Sequence, residues 1–339
     1  MEPIASIDMS VLRQDPTTRQ WVIMAPRRAG RPLDAEEVLR KVPPAHDDRC
    51  PFCPGNEDQT PPELLRTPSG PDWRIRVVPN MYSALGGEGK AARTGPALFR
   101  EMPGVGSHEV VVETSRHDAR IDEMDTDEVC GVIAAWRTRY RALLERPEIR
   151  AAVVFKNFGR GAGASLTHPH SQIVGTPIFL PRLLRRLDAA TRYYDDNGSC
   201  VYDDVVAAER EAGHRMVLER GRFAAFAPFA SQSPFETWIV PTEHGSSLGN
   251  LSDDDMPALA ETLTGVLGAI RRACGDPDYN FVVYSTEAEG RPSAVFCWHI
   301  KILPKLSTPA GFELSSAMSI NTVAPEDAAR ELREAIAAI

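Results

Sequence analysis

Sliding the chain along itself by 129 residues sets Val153-Val154-Phe155 over Val282-Val283-Tyr284, Gly161 over Gly290, and His168-Pro169-His170 over Cys297-Trp298-His299, with no gap. Such an echo constrains the fold more than any local propensity, because two copies of one unit must bury the same face twice. It implies an α+β protein of two similar units in tandem, with antiparallel sheets flanked by helices, and only the first unit keeps its full chemical equipment. The expected division is residues 1–178 and residues 179–339.

Local patterns fill in this outline. The first hundred residues are rich in Pro and Gly, with short apolar runs such as Trp21 to Met24 and Ile75 to Val78 that read as strands between loops. His108 to Glu113 reads as a strand leading to a loop with His117. Val129, Val132, Ile133, Trp136, Tyr140, Leu143 and Leu144 then recur at helical spacing, and Pro147 closes that helix. Ala151 to Phe155 reads as a buried strand, and His168 to Val174 as the next one. Residues 180–215 read as a charged helical connector. Strands at 215–219, 223–227 and 236–240 follow, then a helix from Ser252 to about Cys274, strands at 280–285 and 295–303, and a last helix with Pro325 in its first turn.

Two short motifs carry chemistry. Cys50-Pro51-Phe52-Cys53 places two thiols in the kind of turn that zinc sites use, since two intervening residues let both sulfurs reach one tetrahedral centre. No second Cys pair or finger-spaced His pair lies nearby, so the other ligands must come from distant segments, with His117 and His168 as candidates. A redox dithiol and plain turn residues remain alternatives for the pair. His168 and His170, one residue apart on a strand, point to the same side, so one imidazole can face a metal and the other a substrate pocket. The bland alternative is a pair of histidines on a solvated strand face. Gly159, Gly161 and Gly163 form a loop whose backbone N–H groups can approach phosphate oxygens.

A nucleophilic imidazole at His170 would give a covalent phosphoramidate and split one exchange between phosphates into two displacements. Gln172 can hydrogen-bond a phosphoryl oxygen but, unlike a third histidine, cannot hand a proton to a poor leaving group, which suits transfer more than hydrolysis. Because His170 must be neutral to attack, activity is expected to fall as pH drops below the imidazole pKa, roughly 6.5 when unperturbed.

Charge narrows the partners. With 38 Lys and Arg against 47 Asp and Glu, the net charge is −9, which argues against a nucleic-acid binder with a broad cationic face. Six scattered cysteines do not make a disulfide scaffold. No apolar run approaches about eighteen residues, and Met1 to Arg13 lacks a signal-peptide pattern, so the expected protein is cytoplasmic, with neither a membrane nor a nucleic-acid partner.

These residues resemble the galactose-1-phosphate uridylyltransferase family, a branch of the histidine-triad superfamily, along nearly the whole chain. Arg13-Gln14-Asp15-Pro16-Thr17 and Trp21 to Pro32 are similar to the family's opening, which implies that Arg28 and Arg31 lie near the nucleotide or its phosphates. Cys50 to Gly55 is similar to the family's zinc turn, with His117 and His168 matching the third and fourth ligands of one structural zinc per chain. Pro79-Asn80 with Ala84-Leu85 resembles the nucleoside-contacting segment. Asn157, Ser165, His170 and Gln172 match the active-site stretch, in which His170 becomes nucleotidylylated and the others bind phosphate oxygens. Gly311-Phe312-Glu313 implies a place near the sugar for Phe312 and Glu313, and the family implies a homodimer with residues shared across the interface.

The departures matter as well. Members with a second metal site use several histidines and a glutamate in the C-terminal unit. Tyr284 and Cys297 stand where histidines are expected here, and His299 alone remains, so that site is expected to be empty. Ser315-Ser316-Ala317 replaces a more Gly-rich stretch on the acceptor side. The expected activity is a ping-pong nucleotidylyltransferase that moves a nucleoside monophosphate from a nucleotide sugar, UDP-glucose first, to a sugar 1-phosphate. The alternatives are a phosphorylase of ADP-sugars or dinucleoside polyphosphates with phosphate as acceptor, and a zinc-stabilised nucleotide-binding module without catalysis.

Overall fold

The computed structural model describes residues 9–30, 42–87, 89–287 and 293–338. Arg31 and Gly290, both named above, lie outside the described residues.

The strands that carry the two echoing motifs meet at the centre of one sheet. β1 (Val11–Gln14), β2 (Trp21–Met24) and β13 (Ser319–Asn321) form a small separate sheet in the order β1-β2-β13. The other ten strands form a single sheet in the order β3-β4-β5-β7-β6-β11-β12-β10-β9-β8. Its members are β3 (Leu65–Thr67), β4 (Ile75–Pro79), β5 (Ser107–Val112), β6 (Ala151–Phe158), β7 (His170–Thr176), β8 (Met216–Arg220), β9 (Phe223–Phe226), β10 (Thr237–Pro241), β11 (Tyr279–Tyr284) and β12 (His299–Pro304). Every pairing within this sheet is antiparallel. Read outward from the β6–β11 seam, each half runs through the same succession: β6, β7, β5, β4, β3 on one side and β11, β12, β10, β9, β8 on the other.

Strand register refines the gap-free comparison. Phe155 pairs with Gln172 in the first half and Val282 with Lys301 in the second. If Gln172 corresponds to Lys301, as the slide has it, then Phe155 corresponds to Val282 and not to Tyr284. The difference of two residues is absorbed by the unequal loops that join each strand pair.

Two layers cover the sheet because its strands alternate apolar side chains between faces. Helices α1 (Thr126–Leu144), α4 (Met256–Cys274) and α6 (Pro325–Ala337) lie on one face. Of the residues that announced α1, Val129, Val132, Ile133, Trp136, Tyr140 and Leu143 are buried there with Val154, Ile173, Phe281, Val283, Ile300 and Ile302, and Leu144 is half-buried at the edge of that cluster. A capping box starts α1: the Asp125 carboxylate accepts the Glu128 N–H at 2.8 Å, and the Glu128 carboxylate accepts the Asp125 N–H at 3.0 Å. On the opposite face the halves differ. The Cys50–Cys53 turn, Phe52 and Trp73 pack on Val78, Val110 and Val112 in the first half. In the second half α2 (Pro181–Asn197) and α3 (Val201–Ala212) pack on Phe226, Trp238 and Val240. The segment read as a connector is therefore the cover of the second half. A short helix, α5 (Gly311–Ser316), precedes β13.

Candidate active site and metal centre

Three segments far apart in sequence converge beside the start of β7. Cys53 Sγ lies 3.4 Å from His117 Nδ1 and 3.6 Å from His168 Nδ1, and Cys50 Sγ lies 3.7 Å from His168 Nδ1. All four side chains are buried, and their donor atoms lie within 4.8 Å of one another. Ligands about 2.0–2.3 Å from a tetrahedral ion stand roughly 3.3–3.8 Å apart, so the set fits a metal ion. His168 donates Nε2–H to the Thr114 carbonyl at 2.8 Å, which leaves Nδ1 as the lone-pair atom facing the sulfurs. Burial pushes the Cys50 thiol up to about 11 and His168 down to about 4. A cation among these donors supplies the charge that makes thiolates favourable in so buried a place.

His170 follows two residues later and is itself 7% exposed. Its Nδ1–H is donated to the His168 carbonyl at 2.8 Å, so Nε2 carries the lone pair. Burial first, and the Lys156 ammonium second, lower its pKa below the usual imidazole range, which keeps that lone pair unprotonated near neutral pH. Phe52 of the cysteine turn stacks at a tilt 5.6 Å from the His170 ring. On the far side of β7, the Ser171 hydroxyl accepts the Trp136 Nε1–H at 2.7 Å and ties the strand to α1.

Strand alternation places Asn157 of β6 on the same face as His170 and Gln172. Gln172 turns its amide oxygen to His108 Nε2 at 2.7 Å, and Asn157 turns its own to Asn280 Nδ2 at 2.8 Å. Both side chains therefore keep an NH₂ group for another acceptor. Asn80 joins this group through His108, its Nδ2 lying 3.1 Å from His108 Nε2, while its oxygen accepts the Tyr82 N–H. Ser165 stands exposed between the glycine loop and His168.

The glycine loop departs from expectation. The Gly161 N–H is donated to the Asp278 carboxylate at 2.5 Å, and the Gly163 N–H to the Arg160 carbonyl at 3.0 Å. Neither amide is free to receive phosphate. The glycines are required by crowding and backbone conformation: Gly159 has φ +84°, and a Cβ there would lie 1.9 Å from Asp278 Oδ1.

Arg28, Phe312 and Glu313 flank the small sheet, at opposite ends of its parallel β2–β13 pair. Arg28 follows β2, Phe312 and Glu313 lie on α5 just before β13, and β2 and β13 are paired. This small sheet is fastened to the second half: Arg13 bonds the Phe229 carbonyl and Glu326, and Asn321 bonds the Ser231 and Ser233 carbonyls. The Glu313 carboxylate accepts the Ala310 N–H of its own helix start, and Arg28 is exposed. Among the described residues, none of the three forms a hydrogen bond or ring contact with His170 or Gln172.

Three residues near His170 escaped the sequence reading. Lys156 Nζ reaches the His170 carbonyl at 3.0 Å and the buried Glu113 carboxylate at 2.5 Å. The available signal was a lysine directly after the apolar run Ala151 to Phe155. His108 was visible only as a polar residue near the start of its strand, because its pairing with Gln172 spans two strands.

In the second half, Tyr284 and His299 stack at 5.2 Å, and the buried Arg186 guanidinium lies over the Tyr284 ring at 4.5 Å. A cationic side chain thus stands beside the surviving histidine. A different donor group occurs nearby: Cys200, Asp203 and His244 bring ligand atoms within 4.8 Å of one another. His244 contacts the Asp203 carboxylate through Nδ1 and the Ser293 carbonyl through Nε2, both at 2.8 Å, and the Asp203 contact is the leading cause that raises its pKa to about 10. No helix among the described residues is long and apolar enough to cross a membrane.

A family model described as galactose-1-phosphate uridyl transferase, N-terminal domain, matches residues 2–179. The chain is 34% identical over 328 residues to ADP-glucose phosphorylase of Arabidopsis thaliana, covering 95% of this chain and 92% of that one. It is 28% identical over 338 residues to galactose-1-phosphate uridylyltransferase of Thermotoga maritima, covering 96% and 98%. Among solved structures, the Arabidopsis ADP-glucose phosphorylase with bound ADP-glucose superposes with a TM-score of 0.83 at 32% identity, covering 96% of this chain and 99% of that one. A structure described as uridylyltransferase gives 0.76 at 28% identity, covering 97% and 99%.

Proposed function

We propose, because this chain belongs to the galactose-1-phosphate uridylyltransferase family, that it is a nucleotidyltransferase-type enzyme moving a nucleoside monophosphate from a nucleotide sugar to an acceptor through a covalent bond to His170. The observation that carries this reading is the posture of the ring: Nδ1 is tied to the His168 carbonyl, and Nε2 is left as nucleophile beside two amides with NH₂ groups to offer. In the first step, Nε2 attacks the α-phosphorus, and the bond from that phosphorus to the bridging oxygen breaks, releasing sugar 1-phosphate. In the second, an oxygen of the acceptor phosphate attacks the same phosphorus and the P–N bond breaks. Asn157, Gln172 and Ser165 bind the phosphoryl oxygens as negative charge gathers there.

Cys50, Cys53, His117 and His168 would hold one Zn²⁺ in a structural part, and would through it tie the cysteine turn to the residue two positions before the nucleophile. The family membership supports a homodimer in which Arg28, Phe312 and Glu313, which make no hydrogen bond or ring contact with their own chain's His170 or Gln172, complete the site of a second copy. We read the protein as cytoplasmic.

With UDP-glucose as donor and a hexose 1-phosphate as acceptor, the enzyme is a uridylyltransferase. A second reading, ADP-sugar phosphorolysis with phosphate as acceptor, is favoured by the 34% identity and the 0.83 TM-score to the Arabidopsis enzyme. Intact-protein mass spectrometry after exposure to UDP-glucose or ADP-glucose names the nucleotide. Nucleoside diphosphate released with phosphate alone marks the phosphorylase, and a strict need for hexose 1-phosphate marks the transferase. If the wild-type chain gains no mass from any nucleotide sugar, the covalent reading is wrong.

A further inference from the structure

Asn157 and Asn280 face each other across the β6–β11 seam, the line along which the two halves of the chain join. Asn280 Nδ2 lies 2.8 Å from the Ala162 carbonyl and 2.8 Å from Asn157 Oδ1. A backbone carbonyl can only accept, so the atom of Asn280 that meets it must be the NH₂ group. That same nitrogen meets Asn157, so the atom Asn157 presents to it must be oxygen. One carbonyl of the glycine loop thereby fixes the polarity of two amides in succession, and the NH₂ of Asn157 is turned away from the seam. The carbonyl is itself held in place, because Asp278, two residues before Asn280, accepts the Gly161 N–H, and the loop closes on itself through Ala162 N–H to Gly159 O and Ala164 N–H to Gly159 O.

We infer that Asn280 is a positioning residue for nucleotidyl transfer: it locks the side-chain amide of Asn157 with its NH₂ group toward the phosphoryl oxygens. The inference rests on the reading of Asn157 as a phosphate-binding residue. It assigns the second half of the chain a part in the chemistry of the first, although that half carries no nucleophile of its own. A freely rotating asparagine would present oxygen to an anion in part of the population, and the wrong orientation is repulsive as well as unbonded.

Two substitutions separate orientation from bracing. Asn280→Ala removes the lock and leaves Asn157 free to turn. Asn280→Asp, nearly identical in shape, places a carboxylate against the seam, which draws the NH₂ of Asn157 inward and turns its oxygen toward the phosphate. Single-turnover formation of the His170 adduct is expected to slow about tenfold in Asn280→Ala and about a hundredfold in Asn280→Asp. A purely structural brace predicts that Asn280→Asp is no worse than Asn280→Ala at equal folded fraction, checked by thermal unfolding, and that result overturns the inference. The added negative charge is controlled in an Asn157→Ala background, where Asn280→Asp should cost less than about twofold. A full penalty persisting there also overturns it. If Asn157→Ala alone leaves adduct formation unchanged, it is the phosphate-binding reading of Asn157 that fails. If Asn157→Ala is slow and Asn280→Asp is not, only the part assigned to Asn280 fails.

Discussion

His170 and His299 sit at matching starts of β7 and β12 and hold their rings alike, each with Nδ1 on the carbonyl two residues upstream, at 2.8 Å and 3.1 Å. Their surroundings differ completely. His170 keeps a small exposed surface beside a four-ligand donor set, whereas His299 is 0% exposed, enclosed by Tyr202, Trp238, Tyr284 and Phe296 with ring centroids 4.9–5.9 Å away. The cover is α2 and α3, for which the first half has no equivalent. The same backbone device therefore holds the proposed nucleophile in one half and a core residue in the other, depending on what packs over that face of the sheet. Burial first, and Arg186 second, hold His299 well below the usual imidazole range, so it stays neutral.

The largest effect that could break this comparison belongs to His170→Gly. Removal of the ring is expected to lower nucleotidyl transfer by on the order of 10⁴-fold or more and to leave no mass gain after exposure to nucleotide sugar. A labelled His170→Gly protein would show that another group is the nucleophile. Next comes the metal. Cys53→Ser should abolish zinc retention at the first-half site, measured by elemental analysis, and lower the unfolding midpoint, because three segments lose their common anchor. Full retention of metal and stability in that variant would remove the structural part given to Zn²⁺.

A subtler test uses the positions two residues after each histidine. Gln172 meets His108 at 2.7 Å, and the corresponding Lys301 meets Glu236 at 2.8 Å, with Trp238 Nε1–H also donated to Glu236. One half keeps a hydrogen-bonded amide–imidazole pair, and the other keeps a buried ion pair at 3% and 1% exposure. Lys301→Met leaves Glu236 charged and unpaired and should cost about 3–5 kcal/mol of stability, read by denaturant unfolding. Gln172→Ala should cost less than about 1 kcal/mol of stability but slow adduct formation about 10–100-fold. A reversal, with stability lost at 172 and activity at 301, would mean that the halves had been assigned the wrong way round.

The sequence displayed whatever was local and periodic. The Cys50–Cys53 turn and the buried stripe of α1 follow from spacing alone and are found in the fold, whereas β7 starts only at His170, so His168 precedes the strand expected to carry both rings. It concealed what depends on strand register. Nothing near Asn157 announces Asn280, and nothing near Gly161 announces Asp278, because their contacts span more than a hundred residues and are set by the β6–β11 pairing. Residues 180–215 read as charged and helical, but polarity on one side of a helix does not reveal which strand its apolar side will cover. The glycine loop misled for a related reason: a backbone nest that attracts phosphate attracts a carboxylate equally well, and here the carboxylate belongs to the same chain.

The smallest expected effect falls on His299 itself. Its Nε2 is buried with no hydrogen-bond partner, a cost of about 1–3 kcal/mol that the native structure already bears. His299→Phe removes that unpaired atom and adds apolar contact with four aromatic rings, but it also deprives the Cys297 carbonyl of its donor, worth about 0.5–1.5 kcal/mol. These contributions oppose each other, and the slightly larger ring must fit a closed site, so stability should move by no more than about 1 kcal/mol, while nucleotidylation of His170 proceeds at the wild-type rate. The measurement pairs thermal unfolding with adduct formation in one protein. A stable His299→Phe variant that no longer forms the adduct would show that the buried ring still serves the chemistry across the seam, and the contrast between an active half and a filled half would no longer hold.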